Sequence, residues 1–484
     1  MSRPNLTSIW LFFLSAFILA VTPVQPAQAQ TPATVYEGAR LITGDGAVIE
    51  NSAFVVENGH FTQVGRRGDA PVPTSAAHVD LAGKTVMPTL VDLHGHLGFQ
   101  NIPAGTMSKE TFTRENLIDH LRRLVFNGVG AVVGVGDLVD RSDMKGGRTG
   151  WGDVVLHVRD EVVPDAALFK TAGAGMAWPG SGAQGDPSRV DVAYPVTTAE
   201  EARAAARDYV RMKPAFIKIW VDDRVGRIPT LTPPLYGAIL DEAGKSGVPV
   251  AVHNVKLADA KGMVRGGMEG WLHVPVREGE VADDELVALV KDRVARNDRP
   301  NMWMTLSLIT AWMNTYGGGR PDFLDDPLLR ATYSPAQIEQ YWGEPLRKMT
   351  PERRARAKAQ FESDAKSAMR LRAAGIRVVG GTDTGQSRFL IGYFNHLDLE
   401  SMVAAGLTPG EAITAATRDG ADIAKFNTGL VAAGRNADFI VLDANPLESI
   451  SNTRRIDRVF LRGHEVPRTE MAAKWQAQFR QAAN

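Results

Sequence analysis

Short apolar segments and amphipathic segments alternate through the middle of this chain. Apolar runs of strand length occur at residues 130–135, 167–171, 216–220 and 248–253. The segments between such runs repeat apolar side chains with helical periodicity, as in residues 199–212. This alternation is typical of a parallel α/β sheet. About eight strands are predicted between Val86 and Val379, which favours a (β/α)8, TIM-like barrel.

The two ends of the chain have a different pattern, in which short strands are separated by glycine turns. Such strands are predicted at residues 39–42, 53–56 and 61–64, and again at residues 437–442 and 456–461. Neither group is large enough to form a core of its own. We therefore predict one small β-sandwich built from both termini (residues 30–88 and 428–470), which flanks a barrel domain at residues 89–427.

Two segments depart from both patterns. Residues 311–348 are rich in Trp, Tyr, Gly and Pro and interrupt the strand–helix alternation, so we predict an inserted lid over the site. The N-terminus has the form of a secretory signal: Arg3, an apolar stretch at residues 9–21, and the small-residue pattern that ends at Ala29. We predict a signal peptide at residues 1–29, cleaved after Ala29, and a secreted or periplasmic protein with no membrane contact after cleavage.

Composition narrows the chemistry. The chain has 484 residues, which suits a large barrel with a smaller domain. Its net charge of −1 gives no reason to expect a nucleic-acid partner. Cysteine is absent, so disulfides, thiolate ligands and a cysteine nucleophile are excluded. Any metal must therefore be held by His, Asp, Glu or a modified side chain.

Candidate metal ligands stand where the predicted strands end. His94 and His96 follow an apolar run at residues 85–91, and their spacing places both imidazoles on one face of a strand. Paired imidazoles of this kind suit zinc. His253, His273 and Asp383 fall at corresponding places on later strands. Active groups of a barrel gather at the carboxyl ends of its strands, so these side chains are predicted to meet there.

Lys218 is the unusual member of this set. It shares a strand face with Phe216 and Trp220, so its side chain is predicted to point into the barrel. A lone buried ammonium costs several kcal/mol unless it is paired. A carbamate, formed from the neutral amine and carbon dioxide, would be an anionic group able to bridge two metals. The alternative is an ordinary ion pair with Asp222 or Asp92.

Together these residues resemble the metal-dependent amidohydrolase superfamily over nearly the whole mature length. The matching positions are Asp92-x-His94-x-His96, Lys218, His253, His273 and Asp383, with a similar closing segment at residues 434–443 that continues through Asn445-Pro446-Leu447. The segment Ile217-Lys218-Ile219-Trp220 resembles the imidazolonepropionase-like group, which includes secreted Xaa-Pro dipeptidases. The resemblance implies two zinc ions, one held by His94, His96 and Asp383, the other by His253 and His273, with carboxylated Lys218 as the bridge.

The resemblance also implies an activity. A metal-activated hydroxide would cleave the C–N amide bond of a small substrate, a dipeptide or an N-acyl amino acid, with Asp383 carrying the proton. Substrate contacts are predicted from Trp178, Asn254, Tyr316 and Arg320. A substrate carboxylate would need a cation, for which the candidates are Arg224, Arg227, Arg320 and Arg388.

Three readings remain open from the sequence. The first is the two-zinc amide hydrolase. The second is a one-metal hydrolase of a cyclic amide or imidazolone, or of a lactone or ester, because the same nucleophile attacks either kind of carbonyl. The third is a non-enzymatic protein that stores or senses metal. A homo-oligomer is compatible with each of them.

Overall fold

The computed structural model describes residues 33–69, 72–137, 153–182, 189, 192–277, 279–296, 302–386 and 388–483. The predicted signal peptide at residues 1–29 lies outside these residues. Within them, no helix is both long enough and apolar enough to cross a bilayer.

Parallel strands form the centre of the molecule. In the described residues, the strands that we number one to eight along the chain are Leu90–Gly95, Val129–Gly134, Leu168–Thr171, Ile217–Val221, Val250–Asn254, Gly270–Trp271, Trp303–Thr305 and Arg377–Val379. Strands one to three form one parallel sheet, and strands four to eight belong to another together with Met176–Ala177 and Tyr194–Pro195.

Hydrogen bonds connect the two parallel sheets at both edges. On one side Leu93 N donates to Gly380 O at 3.0 Å, and His96 N donates to Thr384 O at 2.7 Å. On the other side Ala215 N donates to Thr171 O at 2.9 Å. The fold is therefore of the TIM-barrel-like α/β kind that the alternating pattern predicted, while full closure of the barrel stays a prediction.

Helices follow the strands in the predicted order. Those between strands one and eight include Arg114–Phe126, Asp153–Asp160, Ala199–Arg211, Pro233–Lys245, Leu257–Gly266, Asp284–Arg296 and Pro351–Ala373, and Tyr393–Ala405 follows strand eight. The third of these helices, Ala199–Arg211, lies where the sequence showed helical periodicity, and its start has a local cause. Thr198 caps it by accepting a hydrogen bond from Glu201 N at 3.2 Å, and Glu201 completes a capping box.

The two chain ends share a sheet. A six-stranded sheet contains Arg40–Ile42, Val48–Ile49 and Thr85–Pro88 together with Phe439–Leu442, Ile456–Leu461 and His464–Glu465. A second sheet contains Thr34–Glu37, Ser52–Glu57, His60–Arg66 and Ala77–Asp80. Aromatic side chains from both sheets lie in one apolar cluster, where Phe439 stacks on Phe460 and packs edge-on against Phe54. This mixing of termini agrees with the predicted arrangement, whose domain boundaries stay a prediction.

One predicted strand was wrong in extent. Residues 85–91 were predicted as one strand, but the chain changes sheets at Thr89: Thr85–Pro88 pairs with Phe439–Leu442, whereas Leu90–Gly95 joins the parallel sheet. An apolar run reports burial and does not say which neighbour a strand will have. Strands six, seven and eight are short, at Gly270–Trp271, Trp303–Thr305 and Arg377–Val379, so that His273 and Asp383 lie just beyond their strands.

Residues 311–348 fold into short helices, which include Pro327–Thr332, Pro335–Ile338 and Glu344–Arg347. This insertion packs against the segment after strand one and against the loop near residue 390. Gln337 Nε2 donates to Ile102 O, and Tyr333 Oη accepts from Ile391 N at 2.8 Å. A closing function of this insertion stays a prediction.

One carboxyl on the helix Pro351–Ala373 faces inward and gives a testable pH dependence. Burial raises the pKa of Asp364 to about 6, against the opposing charge of Arg277 and a hydrogen bond from Gln360. Because the folded pKa lies above the unfolded one, the stabilising effect of the proton is complete below pH 3.8 and is lost as the pH rises through 6. Asp364→Asn should therefore be more stable than the native protein at pH 8, by up to about 3 kcal/mol, and equal to it near pH 4. Urea unfolding of both metal-free proteins at the two pH values checks this, and a difference independent of pH would contradict it.

Candidate metal centre and active site

Four imidazoles meet at the carboxyl ends of the parallel strands. The ring centroids of His94 and His96 are 5.1 Å apart, those of His94 and His273 are 4.8 Å apart, and those of His253 and His273 are 4.7 Å apart. His94 is in strand one and His96 directly follows it, His253 is in strand five, and His273 is in the loop after strand six. The structure thus brings together side chains that are up to 179 positions apart in the sequence (273 − 94).

Asp383 joins the imidazoles from the loop after strand eight. Its Oδ1 lies 2.9 Å from Nε2 of His96 and 3.3 Å from Nε2 of His94. Two ligand atoms on a tetrahedral zinc ion, with bonds of about 2.0–2.1 Å, are about 3.3–3.4 Å apart. The backbone at Asp383 has φ of +60°, a conformation that non-glycine residues rarely adopt and that is found more often at functional sites. Both the spacing and the strained backbone fit a metal ligand.

Asp92 is a positioning residue behind this cluster. It is fully buried, and its carboxylate accepts hydrogen bonds from His94 N at 2.8 Å, Thr382 Oγ1 at 2.6 Å and Asn395 Nδ2 at 2.9 Å. These bonds join strand one to the loop that carries Asp383. The aspartate of the Asp-x-His-x-His motif therefore fixes the relative positions of His94 and Asp383.

Lys218 points into the same space from strand four. Its side chain is fully buried, and Nζ lies 4.9 Å from the centre of the Trp220 ring. Within the described residues it has no hydrogen-bond partner and no ion pair. The predicted alternative, an ion pair with Asp222 or Asp92, is wrong, because Asp222 pairs with His253 and Arg224 while Asp92 pairs as above. Burial lowers the pKa of the Lys218 amine to about 7.

His253 differs from the other three imidazoles in its contact. Its Nε2 lies 3.3 Å from Oδ2 of Asp222, and the same carboxylate lies 3.2 Å from Arg224 Nη1. Close approach of three ligand side chains is confined, within the described residues, to His94, His96 and Asp383. The two halves of the predicted centre are thus unequal in this structure.

Burial sets the protonation of these side chains. It lowers the pKa of His96 and of His253 to about 4, and it holds the pKa of His94 and of His273 well below the usual range. For Asp383 burial acts in the opposite direction, but the adjacent imidazoles and Arg189 outweigh it and keep the pKa of the carboxyl below its usual range. Neutral imidazoles and an ionised carboxylate are the forms that bind a metal ion.

Buried polar atoms at the site test whether a metal fits. Within the described residues, the atoms without a hydrogen-bond partner include Asp383 Oδ1 and Lys218 Nζ. Unsatisfied buried polar atoms are rare, and a cluster of them points to an ion or water. Nitrogen and oxygen donors without sulfur suit zinc or a similar divalent ion. The residues present therefore fit the metal centre that the sequence predicted.

These side chains line a cavity of about 200 Å³. Its described lining consists of His94, His96, Gly182, Arg189, Trp220, Arg224, His253, His273, Arg277, Asp383 and Gln386. Of the cations proposed from the sequence, only Arg224 is among them. Sequence reasoning missed Arg189 and Arg277. Arg277 could have been found, because it follows His273 by four positions in a loop at the carboxyl end of strand six.

The other predicted substrate residues lie elsewhere in this structure. Asn254 is buried, and its amide donates to Pro275 O at 2.8 Å. Trp178 packs on the main apolar core, and Tyr316 packs against Trp312 and Phe323. Arg320 forms ion pairs with Asp325 and Glu339. None of the four lines the cavity among the described residues, so their contact with substrate stays a prediction without support from the geometry.

Gly385 controls how closely the loop after strand eight can approach His96. Its φ is +91°, and a Cβ atom there would overlap the backbone carbonyl of His96. Gly385→Ala should therefore lower zinc affinity at least about tenfold and destabilise the protein by about 3 kcal/mol. Gly46→Ala is the matched control, since Gly46 has φ of +98° but open space around it. Zinc titration and thermal unfolding of both variants check this; equal effects would show that backbone strain alone is responsible.

Comparisons with known proteins agree with this site. Residues 343–466 match the model of the amidohydrolase family. No curated protein matches the chain. Among solved structures, a candidate prolidase from Bifidobacterium longum is 24% identical with a TM-score of 0.66, over 94% of this chain and 99% of that one. A Xaa-Pro dipeptidase with bound methionine in its active site is 20% identical with a TM-score of 0.65, over 90% of this chain and 99% of that one.

A structure of molinate hydrolase is also similar, at 18% identity and a TM-score of 0.65, over 91% of this chain and 96% of that one. At these identities the likeness establishes the fold, and the family match covers residues 343–466. Both findings bear out the resemblance to the amidohydrolase superfamily that the sequence motifs predicted, and with it the expectation of a hydrolase that acts on carbon–nitrogen bonds.

Proposed function

We propose that this protein is a two-zinc hydrolase that cleaves the amide bond of a dipeptide or an N-acyl amino acid. The observation that carries the proposal is the convergence of four imidazoles and Asp383 on one cavity, with the buried, unpaired Lys218 close enough for its charge to act on these imidazoles. His94, His96 and Asp383 would hold one ion, His253 and His273 the other, and carboxylated Lys218 would bridge them. When bound, the ions supply positive charge that activates water and polarises an amide carbonyl.

The chain itself supplies the proton transfer. Asp383 is ionised, and its Oδ1 faces the cavity beside His96, so this oxygen can accept the proton of the attacking water. The same carboxyl can then give that proton to the nitrogen of the leaving amine. The small, mostly buried cavity keeps bulk water from competing for the proton.

Similar structures support a dipeptide or an amino-acid amide as the substrate class. One is a candidate prolidase, another is a Xaa-Pro dipeptidase, and the latter contains methionine in its active site. A phenylurea hydrolase with the same fold shows that the leaving group varies on this scaffold.

A one-metal hydrolase of a cyclic amide, lactone or ester is the second candidate. It is favoured by the contact of His253 with Asp222, which turns this imidazole toward a carboxylate outside the three-ligand group. The non-enzymatic reading is disfavoured, because the family match and the similar solved structures are those of hydrolases.

Metal content and turnover decide between these candidates. Zinc-loaded protein should contain about two ions per chain and hydrolyse members of a panel of dipeptides and N-acetyl amino acids, and a chelator should abolish the activity. One ion per chain with activity only on lactones or cyclic amides would support the second candidate. Full activity after removal of metal would contradict both.

Two structural proposals accompany the function. We propose that the parallel strands close into a (β/α)8 barrel, with the sheets of both termini as one satellite domain. We also propose export with cleavage after Ala29, to a periplasm or the exterior. Sequencing the N-terminus of the mature protein tests the second proposal, and an intact segment before residue 30 would contradict it.

A further inference from the structure

Positive charge dominates the cavity wall on the side of strands four to six. Three guanidinium groups line the cavity, those of Arg189, Arg224 and Arg277. Arg224 is already paired, since its Nη1 lies 3.2 Å from Oδ2 of Asp222. Arg277 is different. Its Nε is buried without a hydrogen-bond partner, and no carboxylate of the described residues lies within ion-pair distance of its guanidinium.

The Arg277 charge is directed at the reaction centre. Arg277 lines the same cavity as His253, His273 and Asp383. Outside the cavity, burial raises the pKa of Asp364 on the helix Pro351–Ala373, and the charge of Arg277 acts to lower it. These two side chains do not form an ion pair. A half-buried guanidinium without a partner is unfavourable, so a negative group from outside the chain would stabilise it.

The backbone holds this arginine in place. Arg277 N donates to Val255 O at 3.0 Å, and Asn254 Nδ2 donates to Pro275 O at 2.8 Å. Val274 and Val276 are fully buried and anchor the same loop. Asn254 is therefore a positioning residue, which ties the loop that carries Arg277 to the end of strand five. A pre-positioned cation at a cavity wall has little freedom left to lose on binding.

We propose that Arg277 binds the carboxylate of the substrate, so that the enzyme selects amides that carry a carboxylate next to the scissile bond. This inference rests on the proposed function and names its substrate class. The planar guanidinium matches a carboxylate through two parallel hydrogen bonds. The cavity, about 200 Å³, is small enough to bring such a carboxylate and the neighbouring amide within reach of Arg277 and Asp383 together.

The test compares a charged and a neutral substrate of equal shape. N-acetyl-L-methionine and N-acetyl-L-methioninamide differ only in the carboxylate, and the selectivity is the ratio of their kcat/KM values. Arg277→Gln should lower this ratio about 100-fold, because kcat/KM should fall for the charged substrate and stay unchanged for the amide. Arg277→Lys should restore part of the ratio, because lysine keeps the positive charge but cannot make the two parallel hydrogen bonds of a guanidinium. Zinc content and melting temperature should stay close to those of the native protein.

Two control variants separate the proposed role from a structural one. Arg265→Gln removes an exposed arginine that pairs with Glu285, and it should leave the ratio unchanged. Asp364→Asn removes a carboxyl whose pKa is raised by burial and lowered to a smaller degree by the charge of Arg277. This variant should also leave the ratio unchanged. If Asp364→Asn lowers the ratio as much as Arg277→Gln does, the arginine acts through the helix and the proposal is wrong.

Binding decides the inference independently of turnover. Calorimetric titration of N-acetyl-L-methionine into the zinc-loaded protein should give an affinity at least tenfold higher than that of the amide, and Arg277→Gln should remove the difference. If the native protein hydrolyses nothing in the panel, the proposed function fails, while the titration still decides the role of Arg277. Equal binding of both compounds, or carboxylate-dependent binding that survives in Arg277→Gln, overturns the inference.

Discussion

Asp383→Asn is expected to lower kcat by about 10²–10⁴-fold while the protein keeps much of its metal. Asparagine has nearly the same shape, and its amide oxygen can still face His94 and His96. It carries no negative charge, however, and its amide cannot take a proton from water and return it to an amine. The step that should fail is therefore proton transfer, with metal binding weakened to a smaller degree.

Two measurements on Asp383→Asn separate these effects. Zinc content after gel filtration reports on the ligand role, and kcat at saturating zinc reports on the proton role. Asp443→Asn, at a half-exposed carboxyl that pairs with Lys84, is the matched control and should behave like the native protein. Native turnover in Asp383→Asn would refute the role of the carboxyl, and a loss restored fully by added zinc would limit that role to holding metal.

Lys218→Ala is expected to reduce the metal content from about two ions to one or fewer per chain and to lower kcat by at least about 100-fold. The expected cause is loss of the proposed bridge, because alanine has no amine that could be carboxylated. Lys218→Met should have the same effect with less loss of stability, since methionine fills the buried space without a charge. A one-metal enzyme would keep its ion in both variants.

The carbamate itself can be observed. Burial leaves a large share of the Lys218 amine neutral near pH 7, and the neutral amine can add carbon dioxide with release of one proton. Metal-free protein reloaded with zinc and ¹³C-bicarbonate should show one carbamate signal that is missing in Lys218→Ala. Lys170→Met is the control, because Lys170 donates to Ala424 O and Lys425 O away from the cavity. A carbamate signal that survives in Lys218→Ala would contradict the assignment.

Much of the site could be predicted because, in a barrel of parallel strands, side chains at the ends of strands that are far apart in the sequence lie close together. His94, His253 and Asp383 each come at or after the end of an apolar strand, and parallel strands bring such ends to one edge. The cations of the cavity could not be predicted in this way. Arg277 and Arg189 stand in loops, where no periodicity says which side chains turn inward and which turn to solvent.

The predicted substrate residues outside the cavity stay predictions without support from the geometry, for the same reason. Arg320 and Tyr316 were selected because residues 311–348 were expected to cover the cavity, yet their partners are other side chains of that insertion and of its neighbourhood. Asn254 was placed correctly beside His253, but its amide turned out to serve the backbone of the next loop. The position of each residue in the sequence indicated which part of the fold it would lie in, but not which way its side chain would point.

The sequence by itself determined the TIM-barrel-like fold class, the resemblance to the amidohydrolase superfamily and the candidate metal ligands, because the spacing of apolar positions and the donor atoms of side chains are properties of the residues themselves. Only the tertiary structure decided that the chain changes sheets at Thr89, that His253 contacts Asp222, and that Arg277 stands unpaired at the cavity wall. Those outcomes depend on which distant segments become neighbours, and the free energy that selects a neighbour belongs to the packed pair and to neither segment alone.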